Sequence, residues 1–158
     1  MIHVAAHDGA KLSDLCSSLY DRVLVDAPCT GDRHLMLKLQ NTPRRFESPV
    51  VWDVEQVKYN SRRQQRLLHA ALSATKPGGI VLYSTCALSE EENDGTVAAV
   101  LCNWPEVVIE SAPEALRDLG EATKYGTIIL PDTCKYGWGP IYFAILLVQG
   151  ESTTSRSS

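Results

Sequence analysis

Three features of the sequence predict an α/β domain built on a mostly parallel sheet. The runs Val23-Leu24-Val25 and Ile80-Val81-Leu82 are too short for helices and lack polar alternation, so they read as strands covered on both faces. About fifty residues lie between them, including the helical-looking stretch Gln56 to Ala74, which is ample for the crossover that a parallel pair requires. Each run also delivers a cysteine where it stops. Asp21 to Arg33 reads DRVLVDAPCTGDR and Gly78 to Cys86 reads GGIVLYSTC, so Cys29 and Cys86 sit beyond the carboxyl ends of their strands, where open parallel sheets bind ligands. Adjacent strands lie roughly 5 Å apart, close enough for one small substrate to touch both thiols.

Two thiols beside a carboxylate suit a particular chemistry. A thiolate adds readily to electron-poor carbon, and carbon 6 of a pyrimidine is such a centre. Addition there makes carbon 5 behave as an enamine that can attack a methyl donor. A second group must then remove the proton from carbon 5 so that the first cysteine can leave. A nearby acid that hydrogen-bonds position 3 and the amino group favours cytosine and lowers the barrier to addition. Asp26 is the local candidate.

Asp26-Ala27-Pro28-Cys29 and Ser84-Thr85-Cys86, with Lys76-Pro77-Gly78-Gly79 ahead of the second, resemble the RNA cytosine-5 methyltransferases of the Sun/RsmB/Nop type. The resemblance runs from about Val4 to Val148. It includes Leu130-Pro131-Asp132 and Trp138-Gly139-Pro140-Ile141-Tyr142, which look most like the short mitochondrial members. It implies a Rossmann-like class I methyltransferase fold, S-adenosyl-L-methionine as cofactor, an RNA substrate (rRNA or tRNA) with a possible helper protein, and a mitochondrial or other intracellular location. By the same resemblance Cys86 is the nucleophile, Cys29 assists release of the methylated base, and Asp26 recognises cytosine. Asp8 would hold the cofactor's adenine, with Asp26 also in the cofactor pocket.

The 158 residues allow one domain with a sizeable core, and 44% hydrophobic content is ordinary for a globular protein. No transmembrane run or secretory signal is visible, so no membrane partner is expected. Five cysteines form an odd count without a CxxC pair, which argues against a disulfide framework and a zinc site; no metal is expected. The net charge of −4 means that any RNA contact must come from a local patch rather than from the overall balance.

In chain order, Ile2 to Ala6 suits a short strand ending at His7-Asp8-Gly9, where Asp8 also fits the start of a turn. Lys11 to Tyr20 reads as a short helix or loop, with Cys16 a small semi-buried residue. Thr30-Gly31-Asp32-Arg33-His34 has turn chemistry, and Pro28 and Arg33 lie where substrate contacts are expected. His34 has no partner at a telling spacing and also reads as a solvated loop residue. Leu37 to Glu55, broken by Pro43 and Pro49, reads as an irregular loop. Arg44, Arg45, Lys58, Arg62, Arg63 and Arg66 concentrate positive charge; they fit an RNA-backbone surface, with Arg62, Arg63 and Arg66 on the helix, or an ordinary solvated face. Phe46 and Trp52 read as packing residues.

Gln56 to Ala74 presents Leu67, Leu68, Ala71 and Leu72 on one side. Pro77-Gly78-Gly79 is expected to end the helix and turn the chain into the second strand. Ser89 as N-cap and Glu92 in a capping box start a helix running through Leu101. Its positive end would lower the thiol pKa of Cys86, opposed by three glutamates. Val107 to Ile109 reads as a strand and Glu114 to Leu119 as a helical turn. Thr127 to Leu130 and Ile141 to Val148 form an antiparallel hairpin around Pro131 to Pro140. Cys102 and Cys134 carry no motif, and Gly150 to Ser158 is composed like a disordered tail.

A domain of this kind binds its cofactor at a Gly-rich loop after a first strand, with an acid ending the second. Neither is present, so residues 1–149 read as the carboxyl-terminal part of a catalytic domain that lacks the first strands and the Gly-rich cofactor loop. Poor solubility or partner dependence follows from the edge this exposes. A non-catalytic paralogue serving as an RNA- or protein-binding module is the alternative. A further one is an unrelated α/β thiol protein whose cysteines are core residues.

Overall fold

Strands β1 (Tyr20–Asp26) and β2 (Thr75–Thr85) are parallel neighbours, in register from Arg22↔Ile80 to Asp26↔Ser84. The computed structural model describes residues 4–12, 17–41 and 53–150. Cys16, Arg44, Arg45, Phe46, Trp52 and the segment from 151 onward lie outside them. The crossover between the strands holds α1 (Asp32–Asn41) and α2 (Val54–Ala74); α3 (Asp94–Leu101), β3 (Val107–Glu110), α4 (Glu114–Arg117), β4 (Glu121–Ala122), β5 (Thr127–Ile129) and β6 (Ile141–Val148) follow.

The sheet runs β1-β2-β6-β5-β4, and β3 pairs with the outer edge of β6 beside β5. It belongs to the α/β class, but among the described residues only β1–β2 is parallel, so the sheet is mixed rather than mostly parallel. The cause is local: β6 returns from a hairpin with β5, and a hairpin reverses the chain direction.

Alternation along the strands divides the core into two layers. Val81 and Tyr83 of β2, with Tyr142, Ala144, Leu146 and Val148 of β6, face Leu68, Ala71 and Leu72 of α2 and Val97 and Val100 of α3. On the opposite face Ile129, Phe143 and Cys134 gather with Leu82, Ile145 and Leu116.

Helix α2 starts two residues earlier than expected because the Asp53 carboxylate caps it, accepting from the N–H groups of Glu55 and Gln56. It ends at Ala74, where the Thr75 hydroxyl donates to Ala71 O. Pro77-Gly78-Gly79 therefore does not end the helix. It forms an irregularity inside β2, between the pairs Tyr20↔Thr75 and Arg22↔Ile80, with Gly78 in the left-handed region.

Two other expectations change. Residues 4–6 are not a strand; they are exposed and lead into a 3-10 turn, Gly9–Lys11, capped by Asp8 through Ala10 N–H. Part of the expected loop from Leu37 onward is helical, because the chain enters α1 with Asp32 buried. Among the described residues no helix is long and apolar enough to cross a membrane.

The outer edge of β1 has no partner strand among the described residues, and Leu24 on that strand is 65% exposed. An open edge with apolar side chains is a template for association. Sedimentation velocity is expected to show concentration-dependent association of this chain, reduced in Leu24→Lys. A monomer at all concentrations would contradict this reading of the edge.

Candidate active site

The parallel register brings the two strand ends level, and the loops that leave them carry the cysteines into contact. Cys29 Sγ and Cys86 Sγ are 3.1 Å apart, both thiols free and half-buried. Asp26, the last residue of β1, is exposed beside them and accepts a long hydrogen bond from Ser84 Oγ at 3.4 Å.

Each cysteine loop is tied to the protein by buried polar groups. Gln64 of α2 donates from Nε2 to Pro28 O at 2.9 Å and to Glu92 Oε2 at 2.8 Å. Glu92 Oε2 also accepts from Thr30 N–H, so the residues on both sides of Cys29 are held. Glu92 and Gln64 are fully buried. Tyr83 donates from its hydroxyl to Glu92 O at 2.6 Å, and burial pushes its pKa well above the ordinary value, so it stays a donor.

The loop after Cys86 is fixed in the same way. Thr85 Oγ1 donates to Asn93 Oδ1 at 2.6 Å, Asn93 Nδ2 donates to Ala87 O, and Leu88 N–H donates to Asp32 Oδ2 at 2.7 Å. Asp32 Oδ2 also accepts from Thr30 Oγ1, which bridges the two loops. These ties explain a departure from the expected helix start. Glu92 N–H does bond Ser89 Oγ, but Glu92 and Asn93 are drawn into the site, and α3 begins only at Asp94.

The thiol itself is the clearest electrostatic feature. Burial, reinforced by the hydrogen bond and the charge of Cys29 and more weakly by Asp26, pushes the Cys86 thiol up to about 12. The stabilising helix end considered from the sequence is therefore not the dominant influence. Cys86 rests as a thiol at neutral pH.

Asp8, Asp26, Pro28 and Arg63 line one cleft of about 310 Å³, walled by Val23, Leu24, Val25, Leu67 and Ala71. Asp8 thus serves as the turn cap and also reaches the cleft that contains Asp26. Arg62 and Arg66 are exposed on α2, and Arg33 and His34 on the first turn of α1, outside that lining. The residues missed in the sequence are Gln64, Glu92, Asn93 and Asp32. A polar Gln64 within the apolar stripe of α2 was the available signal, since buried polar groups there need partners.

The chain matches the family model described as 16S rRNA methyltransferase RsmB/F over residues 1–145. The chain belongs to this family. It is 33% identical over 154 residues to the mitochondrial tRNA (cytosine(34)-C(5))-methyltransferase of Danio rerio, covering 92% of this chain and 40% of the relative. It is 32% identical over 165 residues to the 5-cytosine rRNA methyltransferase NSUN4 of Mus musculus, covering 92% of this chain and 39% of the relative. The chain thus spans about two fifths of the length of these curated relatives. The crystal structure of NSun6 from Pyrococcus horikoshii with SFG superimposes with a TM-score of 0.68 at 24% identity, over 93% of this chain and 34% of that one, a likeness of fold.

The raised thiol pKa has a direct consequence for reactivity. At pH 8 a thiol titrating at about 12 carries roughly a thousandth of the thiolate of one at 9.0. The greater nucleophilicity of the more basic thiolate restores roughly twentyfold of that. Iodoacetamide labelling of Cys86, followed by peptide mass spectrometry, is expected to run about 50-fold slower than for a free cysteine. The rate should climb until about pH 12, and Cys29→Ala should raise it at pH 8 because Cys29 holds the pKa up. A plateau near pH 9 would contradict the assignment.

Proposed function

We propose that this chain is the base-chemistry part of an S-adenosylmethionine-dependent RNA (cytosine-5)-methyltransferase, acting on rRNA or tRNA, with Cys86 as nucleophile. The observation that carries the proposal is the contact of two free thiols, beside a strand-end carboxylate, in a chain of this family. Names of the relatives point to a mitochondrial location and to cytosine in tRNA or rRNA as substrate.

Cys86 loses its proton to solvent and its sulfur bonds to carbon 6 of an unpaired cytosine, because a stacked base does not expose that carbon. As the C6–S bond forms, the C5–C6 π electrons shift into the ring and position 3 takes up a proton from solvent, returned when the base leaves. Asp26 accepts hydrogen bonds from that N3–H and from the amino group, which stabilises the adduct. The bound cofactor supplies the methyl group that carbon 5 takes up. Cys29, as thiolate, removes the proton from carbon 5; the electrons of that C–H bond restore the 5,6 double bond as the C6–S bond breaks. Cys86 leaves as thiolate.

The cleft fits part of the cofactor. Two carboxylates, Asp8 and Asp26, over an apolar wall suit an adenine amino group and an ammonium. The archaeal relative of the same fold was solved with SFG, an analogue of S-adenosylmethionine. Arg33, Arg62, Arg63 and Arg66, with Pro28, supply the RNA-facing surface, each arginine neutralising phosphate. A helper protein would complete substrate selection.

In a catalytic domain of the relatives' length that carries this segment, Cys86→Ala is expected to reduce methylation at least a thousandfold and to form no adduct. Cys29→Ala is expected to lose turnover and accumulate a covalent protein–RNA species on denaturing gels. Adduct from Cys86→Ala, or from neither variant, would reverse or remove the roles assigned here.

A further inference from the structure

The loop between β5 and β6 is anchored at both ends and raised in the middle. Cys134 is buried against Ile129 and Phe143, and its N–H donates to Leu130 O. Pro140 is fully buried. Gly139 sits in the left-handed region, where a Cβ would collide with Ile129 O, so the chain passes tightly over β5. Gly137, also left-handed, donates its N–H to Cys134 O and closes a turn.

Between the anchors the loop displays Lys135, Tyr136 and Trp138. The Tyr136 and Trp138 rings are stacked, with centroids 4.8 Å apart and planes at 28°. Lys135 Nζ lies 4.9 Å from the Tyr136 ring centroid. Tyr136 is 56% and Trp138 51% exposed, although the loop's anchors are packed. The pair is held outward rather than left over from a collapsed core.

Topology puts this feature at the reactive end of the sheet. Tyr142 pairs with Thr85, the residue before Cys86, so β6 begins where β2 delivers the nucleophile. Chain geometry then keeps Trp138 within roughly 25 Å of Cys86: four residues of chain, one strand spacing and one further residue.

We propose that Tyr136 and Trp138 form a stacking platform for an unpaired nucleobase of the RNA strand flanking the target cytosine, with Lys135 pairing to its phosphate. Aromatic faces accept any base, and a neighbouring cation serves the backbone, which is how single strands are held without base-edge readout. The platform supplies what a chain of net charge −4 lacks, an affinity that does not depend on overall charge. It deepens the RNA reading above and rests on it.

The test is fluorescence anisotropy of a fluorescein-labelled, unstructured ten-nucleotide RNA, one cytosine in oligouridine, titrated with this chain. Trp138→Ala is expected to weaken binding about 5- to 100-fold with an unchanged salt slope, and Trp138→Phe to retain most of the affinity. Lys135→Ala is expected to reduce the salt slope by about one. The wild-type chain should lose a similar factor on an oligonucleotide made abasic beside the cytosine, a readout independent of any variant's folding. Equal binding by wild type and Trp138→Ala, or indifference to the abasic change, overturns the platform and assigns the patch to a protein contact. The adduct on Cys86 would still form in that event, leaving the methyltransferase reading intact. No RNA binding by the wild-type chain overturns the platform as well, and only absence of the adduct would take the underlying reading with it.

Discussion

The in-register parallel pairing of β1 with β2 is the constraint on which the site depends. Because Asp26 lies opposite Ser84, the two strands stop level, and the short loops that follow bring Cys29 and Cys86 into contact. A slip of one residue would exchange the faces of every side chain on β1, moving Val23 and Val25 off the core and Asp26 off the cleft. The irregularity at Pro77-Gly78-Gly79 is part of the same constraint. Extra residues there let α2 end at Ala74 while β2 enters in the register that the thiols require.

A level pair of strand ends does not by itself hold two loops at sulfur–sulfur contact. That is the work of a polar layer between α2, α3 and the sheet, in which Gln64 and Glu92 hold Pro28 O and Thr30 N–H on either side of Cys29, and Asn93 and Asp32 hold the Thr85 hydroxyl, Ala87 O and Leu88 N–H around Cys86. Buried polar groups are costly unless paired, at about 1–3 kcal/mol for each one left unsatisfied, so the layer specifies one arrangement. Burial, with the hydrogen bond and charge of Cys29, keeps the proton on Cys86 at neutral pH.

Much of this was legible in the residues. Val23 to Val25 and Ile80 to Leu82 gave the parallel pair, and Asp-Ala-Pro-Cys with Ser-Thr-Cys, at the strand ends, gave the family resemblance. The hairpin of β5 and β6 was also readable from its β-rich runs and turn residues. Its antiparallel partnership with β2 was not, because strand order is a long-range property that local pattern does not encode. Helix α1 was hidden because Thr30 to His34 has turn composition, and burial of Asp32 against Leu88 N–H draws the chain into a helix. Gln64 and Glu92 are separated by 28 residues in sequence, so their bond could be inferred only from the oddity of a glutamine in an apolar stripe.

The chain belongs to the RsmB/F family and spans about two fifths of the curated relatives' length. The most direct test of the nucleophile is RNA carrying 5-fluorocytidine at the target position, incubated with S-adenosylmethionine and a domain of full family length containing this segment. Fluorine at carbon 5 blocks the last proton removal and leaves the sulfur attached. Peptide mass spectrometry of the adduct should place the modified nucleotide on Cys86. A nucleotide on Cys29, with Cys86 unmodified, would contradict the central claim.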